Sequence, residues 1–174
     1  MQAKQPTIIG RNTKVDFLKH AFDVPAKIDT GADTSSVWVS NITVSPTGVL
    51  SFTLFGEGSP LYTGEVLRRE HYSVAIVRSA TGHEQLRYRT DFSLRIHGRR
   101  VRATFNLSDR SRNRFPVLIG CRTLRRRFIV DVNRFDFPEP ERLTPDSLIE
   151  ELHDNQYDFY KKYFAKDKDT VKGA

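Results

Sequence analysis

The sequence predicts a mainly β fold, and three observations carry that expectation. Up to Pro138 the apolar residues fall in short runs rich in β-branched and aromatic side chains. Turn residues separate those runs, and a helical apolar spacing emerges only near the C-terminus.

The elements follow in chain order. "TIIGRNTKVDFL" has strand character, and "PAKIDTGA" is an apolar approach (Val24, Ala26, Ile28) that ends where Asp29, Thr30 and Gly31 favour a turn. "VLSFTLFGEGS" is a further strand, and "YSVAIVRSATGHEQLRYRT" predicts a mobile hairpin with Ser79 to His83 at its tip. In "FSLRIHGRRVRATF", Phe92, Leu94 and Ile96 alternate with Ser93, Arg95 and His97, while Val101, Ala103 and Phe105 alternate with Arg102 and Thr104. That pattern is a hairpin turning near His97 and Gly98, with one wet, arginine-bearing face. "VLIG" is apolar, "CRTLRRRF" predicts a short helix after Gly120, and "FIVDV" a last strand. "FDFPEPER" reads as a linker, because its prolines deny backbone donors and favour extended chain. Beyond it Thr144 caps, Pro145 fits a first turn, and Leu148, Ile149, Leu152, Tyr157, Tyr160 and Phe164 form the stripe of one C-terminal helix. The end, "AKDKDTVKGA", is polar and expected to fray. The expected organisation is a β domain over residues 1–137, then linker, helix and tail over 138–174.

At 174 residues the chain suits one ordinary domain with an appendage. The single cysteine, Cys121, excludes an internal disulfide and a multi-cysteine metal site, and it points to a reducing compartment. "MQAKQPTIIG" lacks a signal-peptide core and no segment approaches a membrane span, so a cytoplasmic protein without membrane contact is expected. The net charge of +7 is uneven: Arg87 to Arg127 holds 13 arginines against Asp91 and Asp109, while the stretch from Asp131 to Asp158 is mainly acidic. One face should attract anions.

By itself Asp-Thr-Gly is a common turn. Here, however, an apolar strand enters it, small residues follow in "KIDTGADTSS", and about ninety residues later "PVLIGCRTL" supplies an apolar pair and a glycine before a helix. On these segments the chain resembles the retropepsins, the single-domain aspartic proteases that act as homodimers. The wider match runs from "IIGRNTKVDF" through "SATGHEQLRYRT" and "RFPVLIG" to "FIVDV", roughly the first 135 residues. It is most similar to the bacterial and archaeal retropepsin-like family often labelled ATP-dependent zinc protease.

The resemblance implies a closed, mostly antiparallel β-barrel of the retropepsin type and a catalytic set of Asp29, Thr30 and Gly31. Two Asp29 carboxylates would share a proton at a twofold axis, one activating water and the other polarising the scissile carbonyl. Thr30 would bond across the dimer, and Gly31 would let substrate approach. Ala32, Asp33, Ser79, Gly82 and His83 would contact substrate, the last three from a flap, and Leu118, Ile119 and Gly120 would support the site. Ala32 stands where pepsin-like enzymes carry a donating hydroxyl, which implies a higher working pH than pepsin's. The chain departs from the family after the second glycine. Cys121 replaces the arginine that pairs with the aspartate matching Asp33 in retroviral members, and Arg122 substitutes for it only if the backbone shifts. Cys121 itself reads as a small packing residue rather than a nucleophile.

No metal or cofactor is expected, whatever the family label. After His83 and Glu84, Arg87 stands where a zincin helix needs its second histidine, and no phosphate loop is present. The expected partners are a second copy of the chain and a peptide or protein substrate of acidic or Glu-rich character. Two features carry that substrate expectation. Arg78, Arg87, Arg89, Arg95, Arg99, Arg100 and Arg102 are placed to surround the groove, and some members of the family are linked to removal of glutamate tails from a ribosomal protein. The alternative is a non-enzymatic basic β domain binding RNA or the ribosome through Trp38, tyrosines and arginines; it leaves the pairing of "DTGA" with "LIG" unexplained, so nucleic acid is the lesser expectation.

Overall fold

Alternation of buried and exposed residues shapes the barrel in a computed structural model that describes residues 5–78, 84–138 and 145–163. Eleven strands are described: β1 (Thr7–Ile9), β2 (Asn12–Phe17), β3 (Ala21–Asp29), β4 (Ser35–Val44), β5 (Leu50–Leu54), β6 (Val66–Arg69), β7 (Ser73–Arg78), β8 (Glu84–Ile96), β9 (Arg99–Ser108), β10 (Val117–Gly120) and β11 (Phe128–Val130). Six of them close a barrel in the order β10, β3, β2, β8, β9, β4 and back to β10. The pairings are antiparallel except β10 with β3 and β4 with β9, which are parallel. The mainly β, closed-barrel fold class is thus the one the sequence implies.

Phe92, Leu94, Ile96, Val101, Ala103 and Phe105 point into the barrel as the alternation predicts. Phe17, Phe92 and Phe105 meet there with ring centroids 5.2 to 5.7 Å apart, edge-to-face or tilted. Such contacts add to area burial about 0.5–1.5 kcal/mol per pair. The turn between β8 and β9 is His97 and Gly98, both at positive φ (46° and 73°), the two-residue geometry that matches strand twist.

Three local expectations change. Strand β4 was not anticipated, yet Ser35, Ser36 and Val37 are buried where β4 joins β9 and β10. Residues 135–137, the start of the stretch read as linker, dock on the barrel. Gly10 N donates to Asp136 Oδ2 at 2.9 Å, Asn12 Oδ1 accepts from Asp136 N at 3.0 Å, and Arg11 lies over the Phe135 ring. Gly10 permits this, since a Cβ there would sit 2.5 Å from the Arg134 carbonyl oxygen. Finally, the single C-terminal helix is two, α2 (Pro145–Asp154) and α3 (Gln156–Tyr163). Asn155 divides them because its Oδ1 accepts from Tyr157 N (3.1 Å) and Asp158 N (3.2 Å), capping α3. Thr144 and Phe164 lie outside the described residues.

The chain divides into units of 1–138 and 139–174. Within the second, Glu151 joins the helices by accepting from Lys162 Nζ and from the Tyr163 hydroxyl. No helix among the described residues is long and apolar enough to cross a membrane.

Candidate active site

Strand β3 delivers Asp29 to the barrel's end because Val24, Ala26 and Ile28 alternate inward and fix its register. Asp29 is half-buried, and Thr30 and Gly31 beyond it are exposed. Gly31 N donates to Asp29 Oδ1 at 3.0 Å, so the turn's own backbone orients the carboxylate.

The second motif lies directly alongside. β10 runs parallel to β3 with Leu118 opposite Lys27, Ile119 opposite Ile28 and Gly120 opposite Asp29. Then α1 (Cys121–Leu124) begins, and its first amides donate back to the loop: Cys121 N to Ala32 O at 2.7 Å and Arg122 N to Asp33 O at 3.0 Å. Gly120 N donates to Ser35 Oγ at 3.1 Å, and Ser35 Oγ is 2.8 Å from Thr123 Oγ1, both hydroxyls being buried. A Cβ at position 120 would lie 2.7 Å from Ala32 O and from Thr34 C, so no side chain fits there without moving backbone. The glycine of "LIG" is a packing requirement of the Asp29 loop.

Asp33 is 82% exposed, with Arg122 Nη2 3.8 Å from its Oδ2. The arginine one position late therefore reaches it, through an exposed contact of the kind worth about 0–1 kcal/mol. Cys121 Sγ lies 2.9 Å from the Thr30 carbonyl oxygen and is spent on the loop. Beside it, a cavity of about 550 Å³ is lined by Thr30, Asp33, Cys121 and the apolar Leu124, Phe128 and Val130.

The hairpin read as a flap has its arms in place, β7 pairing with β8 from Ser73 opposite Arg89 to Arg78 opposite Glu84. Ser79, Gly82 and His83 lie outside the described residues. Val74, Ile76 and Leu86 share one face of the hairpin by register and are 49%, 64% and 69% exposed.

The arginines separate into groups. Arg110, on the loop after β9, is half-buried and anchored by Nε to the Phe115 carbonyl at 3.1 Å. Burial pushes its guanidinium below the usual value, nearby Arg87 adds to that, and the Asp29 carboxylate acts in the opposite sense. Arg110 thus shares the electrostatic environment of Asp29, a relation that nothing in its arginine-rich surroundings marks in the sequence. By contrast Arg95 faces Asp16 (3.8 Å), Arg102 bonds Asp91 (3.0 Å), and Arg99 donates to the Arg127 carbonyl. These three are engaged on the outer barrel rather than gathered at Asp29. Trp38 packs over Gly56, whose Cβ would meet the ring at 2.8 Å, and edge-on to Phe55. Among the described residues no group of three or more His, Cys, Asp or Glu side chains is placed to hold a metal.

Comparison with known proteins gives two findings. Residues 8–137 match the family model described as RimB-like, retropepsin-like aspartic endopeptidase RimB, a description that does not carry the zinc-protease label. Among solved structures, protein Lpg0085 of Legionella pneumophila subsp. pneumophila str. Philadelphia 1, of unknown function, is similar over 74% of this chain and 95% of that one. The two share 23% identity with a TM-score of 0.57, which speaks to the fold. No curated protein matches.

Proposed function

Since the chain belongs to the RimB-like family of retropepsin-like aspartic endopeptidases, we propose that it hydrolyses peptide bonds as a homodimer, with one Asp29 from each copy forming the catalytic pair. The observation that carries this reading is the bracing of Asp29: its turn is oriented by Gly31 N and locked to β10 and α1 by buried bonds. Two carboxylates brought together cannot both ionise cheaply, so they share a proton. The charged one accepts a proton from the lytic water, and the protonated one donates to the scissile carbonyl. The tetrahedral intermediate then collapses with proton return to the leaving amine, and no acyl-enzyme forms.

A second copy has a surface to meet. Thr30 is exposed beside the cavity floored by Leu124, Phe128 and Val130, and Ile8 and Ile129, register partners in the β1–β11 pair, are 51% and 54% exposed. The apolar face of the β7–β8 hairpin covers the bound peptide and excludes water. Arg110, which shares the electrostatic environment of Asp29, favours acidic side chains in the substrate through a planar fork suited to carboxylates.

The experiment is Asp29→Asn. Hydrolysis of acidic and neutral peptides falls to background while the circular dichroism spectrum and sedimentation of the dimer stay as in the wild type. Full activity in the variant, or a strictly monomeric species that still cleaves, overturns the reading.

A further inference from the structure

Directly after the second motif the sequence turns strongly basic, and "CRTLRRRF" brings four arginines to one place. A cavity of about 420 Å³ is lined by Arg122, Arg125, Arg126 and Arg127, with no carboxylate on its walls among the described residues. We propose that this cavity is a binding site for a compact, multiply charged phosphate ligand.

The fold pins the segment that carries these arginines. Thr123 and Leu124 are buried before the turn and Phe128 is buried after it, so the three residues between are anchored at both ends. Arg125 N donates to the Cys121 carbonyl at 2.8 Å and Arg127 N to the Leu124 carbonyl at 3.0 Å, which closes α1. From β9, the Arg99 guanidinium donates to the Arg127 carbonyl. Arg126 has a φ of 63°, the left-handed conformation that a helix end usually gives to glycine. A residue with a Cβ is strained there, so position 126 gives up stability and presents a guanidinium.

Four like charges around one cavity repel. Arg125, Arg126 and Arg127 form no ion pair among the described residues, and Arg122 reaches only Asp33, at 3.8 Å with both side chains exposed. An anion seated among them relieves that repulsion, and the donors indicate which anion. A phosphate group carries about −1.5 to −2 charges and three acceptor oxygens, whereas a carboxylate offers a single charge and a pair of oxygens. Guanidinium forks take phosphate two bonds at a time, so four forks in one cavity are matched by phosphate and underused by a carboxylate. Among the described residues no aromatic ring lines the walls for a base to stack on, which favours a compact ligand over single-stranded nucleic acid. Arg122 and Arg125 also line the cavity beside Thr30 and Asp33. A phosphate that engages Arg122 draws it from Asp33, so occupancy reaches the loop that carries Asp29. That effect on cleavage rests on the peptidase reading, whereas the binding itself does not.

The test uses the full chain carrying Asp29→Asn, so that no peptide probe is consumed. Pyrophosphate, oligoglutamate and an oligouridylate are titrated at one ionic strength while backbone amide shifts are recorded. Pyrophosphate is expected to shift the amides of residues 122–127 and of Asp33, and to bind there about tenfold tighter than oligoglutamate. Arg126→Gly is expected to weaken pyrophosphate binding about tenfold while raising the thermal midpoint by about 2–4 °C, because glycine relieves the left-handed turn. A merely structural Arg126 would not move the two readouts in opposite senses. Unchanged pyrophosphate affinity in Arg126→Gly overturns the site, as do pyrophosphate shifts confined to other residues. Oligoglutamate binding as tightly at residues 122–127 would overturn it in favour of an acidic protein partner, and tighter oligouridylate binding there in favour of a nucleic acid. Cleavage by the wild-type chain is measured separately, with and without pyrophosphate. Absence of any cleavage overturns the peptidase reading and leaves the site to be judged on the titration; cleavage unaltered by saturating pyrophosphate overturns the link to the Asp29 loop.

Discussion

The Asp29 loop is tied to β10 and α1 by buried hydroxyls and short amide bonds, with no room for a Cβ at Gly120. The β7–β8 hairpin, by contrast, carries Val74, Ile76 and Leu86 about half exposed or more. One region spends its contacts inside the folded chain and the other holds them in reserve. The difference teaches where each contribution should be read. The braced loop contributes to stability, and in the proposed function the same bonds set the catalytic geometry. The hairpin contributes little to stability, since its apolar face is exposed in the folded chain, and in the proposed function that face serves substrate binding.

The sharpest way to break this contrast is Gly120→Ala. The added methyl would stand 2.7 Å from the backbone at Ala32 and Thr34, and neither atom belongs to a side chain that can swing away. Overpacking against backbone costs about 1–3 kcal/mol or more, and relief requires the Asp29 turn to shift. Urea unfolding is expected to show a loss near the upper end of that range, with peptidase activity abolished. A variant of full stability and full activity would mean that the loop yields easily and is not braced.

Smaller, and more specific, is Ser35→Ala. It leaves Gly120 N–H and the buried Thr123 hydroxyl without their acceptor and partner. Each unsatisfied buried group costs about 1–3 kcal/mol. Thr123→Val removes one of the two bonds, so the pair of substitutions forms a cycle, expected by urea unfolding to give a coupling of about 0.5–3 kcal/mol. Independent effects would deny that the hydroxyls act as one brace.

How legible these regions were depends on what fixes them. "DTGA" and "LIG" could be read from the chain because steric necessity selects their residue types: a turn at Asp29 and a bare Cα at Gly120. The hairpin at His97–Gly98 and the paired arms β7 and β8 were legible for the same reason, since turn chemistry and alternation are local. What escaped is set by distant partners. Strand β4 interleaves Ser35, Ser36, Ser40 and Asn41 with Val37, Trp38, Val39, Ile42 and Val44, and its place in the barrel is set by β9 and β10 on either side. Arg110 is one arginine among many until the fold brings it near Asp29. Residues 135–137 look like linker because their anchors, Gly10, Asn12 and His97, lie far away in sequence. The break between α2 and α3 was readable in principle, for Asn155 is a preferred capping residue.

That docked segment provides a third region to set beside the loop, and a pH test. The Asp136 side chain is 6% exposed. Burial pushes its carboxyl upward, but the Gly10 amide, His97 (Nε2 at 2.7 Å) and Arg134 (Nε at 2.6 Å) together hold it below its ordinary value. A carboxyl lowered in the folded state contributes stability that is complete above the unfolded value, about 3.9, and is lost as pH falls through the folded one. Unfolding measured down the acid range should therefore steepen below about pH 4 in the wild type, and Asp136→Asn should flatten that limb while lowering stability at neutral pH. Identical acid limbs would show that the segment is not anchored by this charge.

The smallest effect on stability, and the one that separates the two regions most cleanly, is expected from Ile76→Ser and Leu86→Ser. The two residues face each other across β7 and β8 and are 64% and 69% exposed, so the folded chain alone loses little when they change. Surface substitutions of this kind stay within about 0.5 kcal/mol. Complete burial of such a side chain is worth about 1.5–3 kcal/mol, and a hairpin closing over a peptide recovers part of it. A loss of about 1 kcal/mol in transition-state binding corresponds to roughly fivefold in kcat/KM. In the proposed function the hairpin closes before chemistry, which puts that loss in KM. Chemical unfolding and steady-state kinetics on the two variants together check the pattern. If stability falls by more than 1 kcal/mol with kcat/KM unchanged, the face already packs within the protein and the hairpin is structural. If stability holds and kcat/KM falls, the exposed face is the part of the site that only substrate completes.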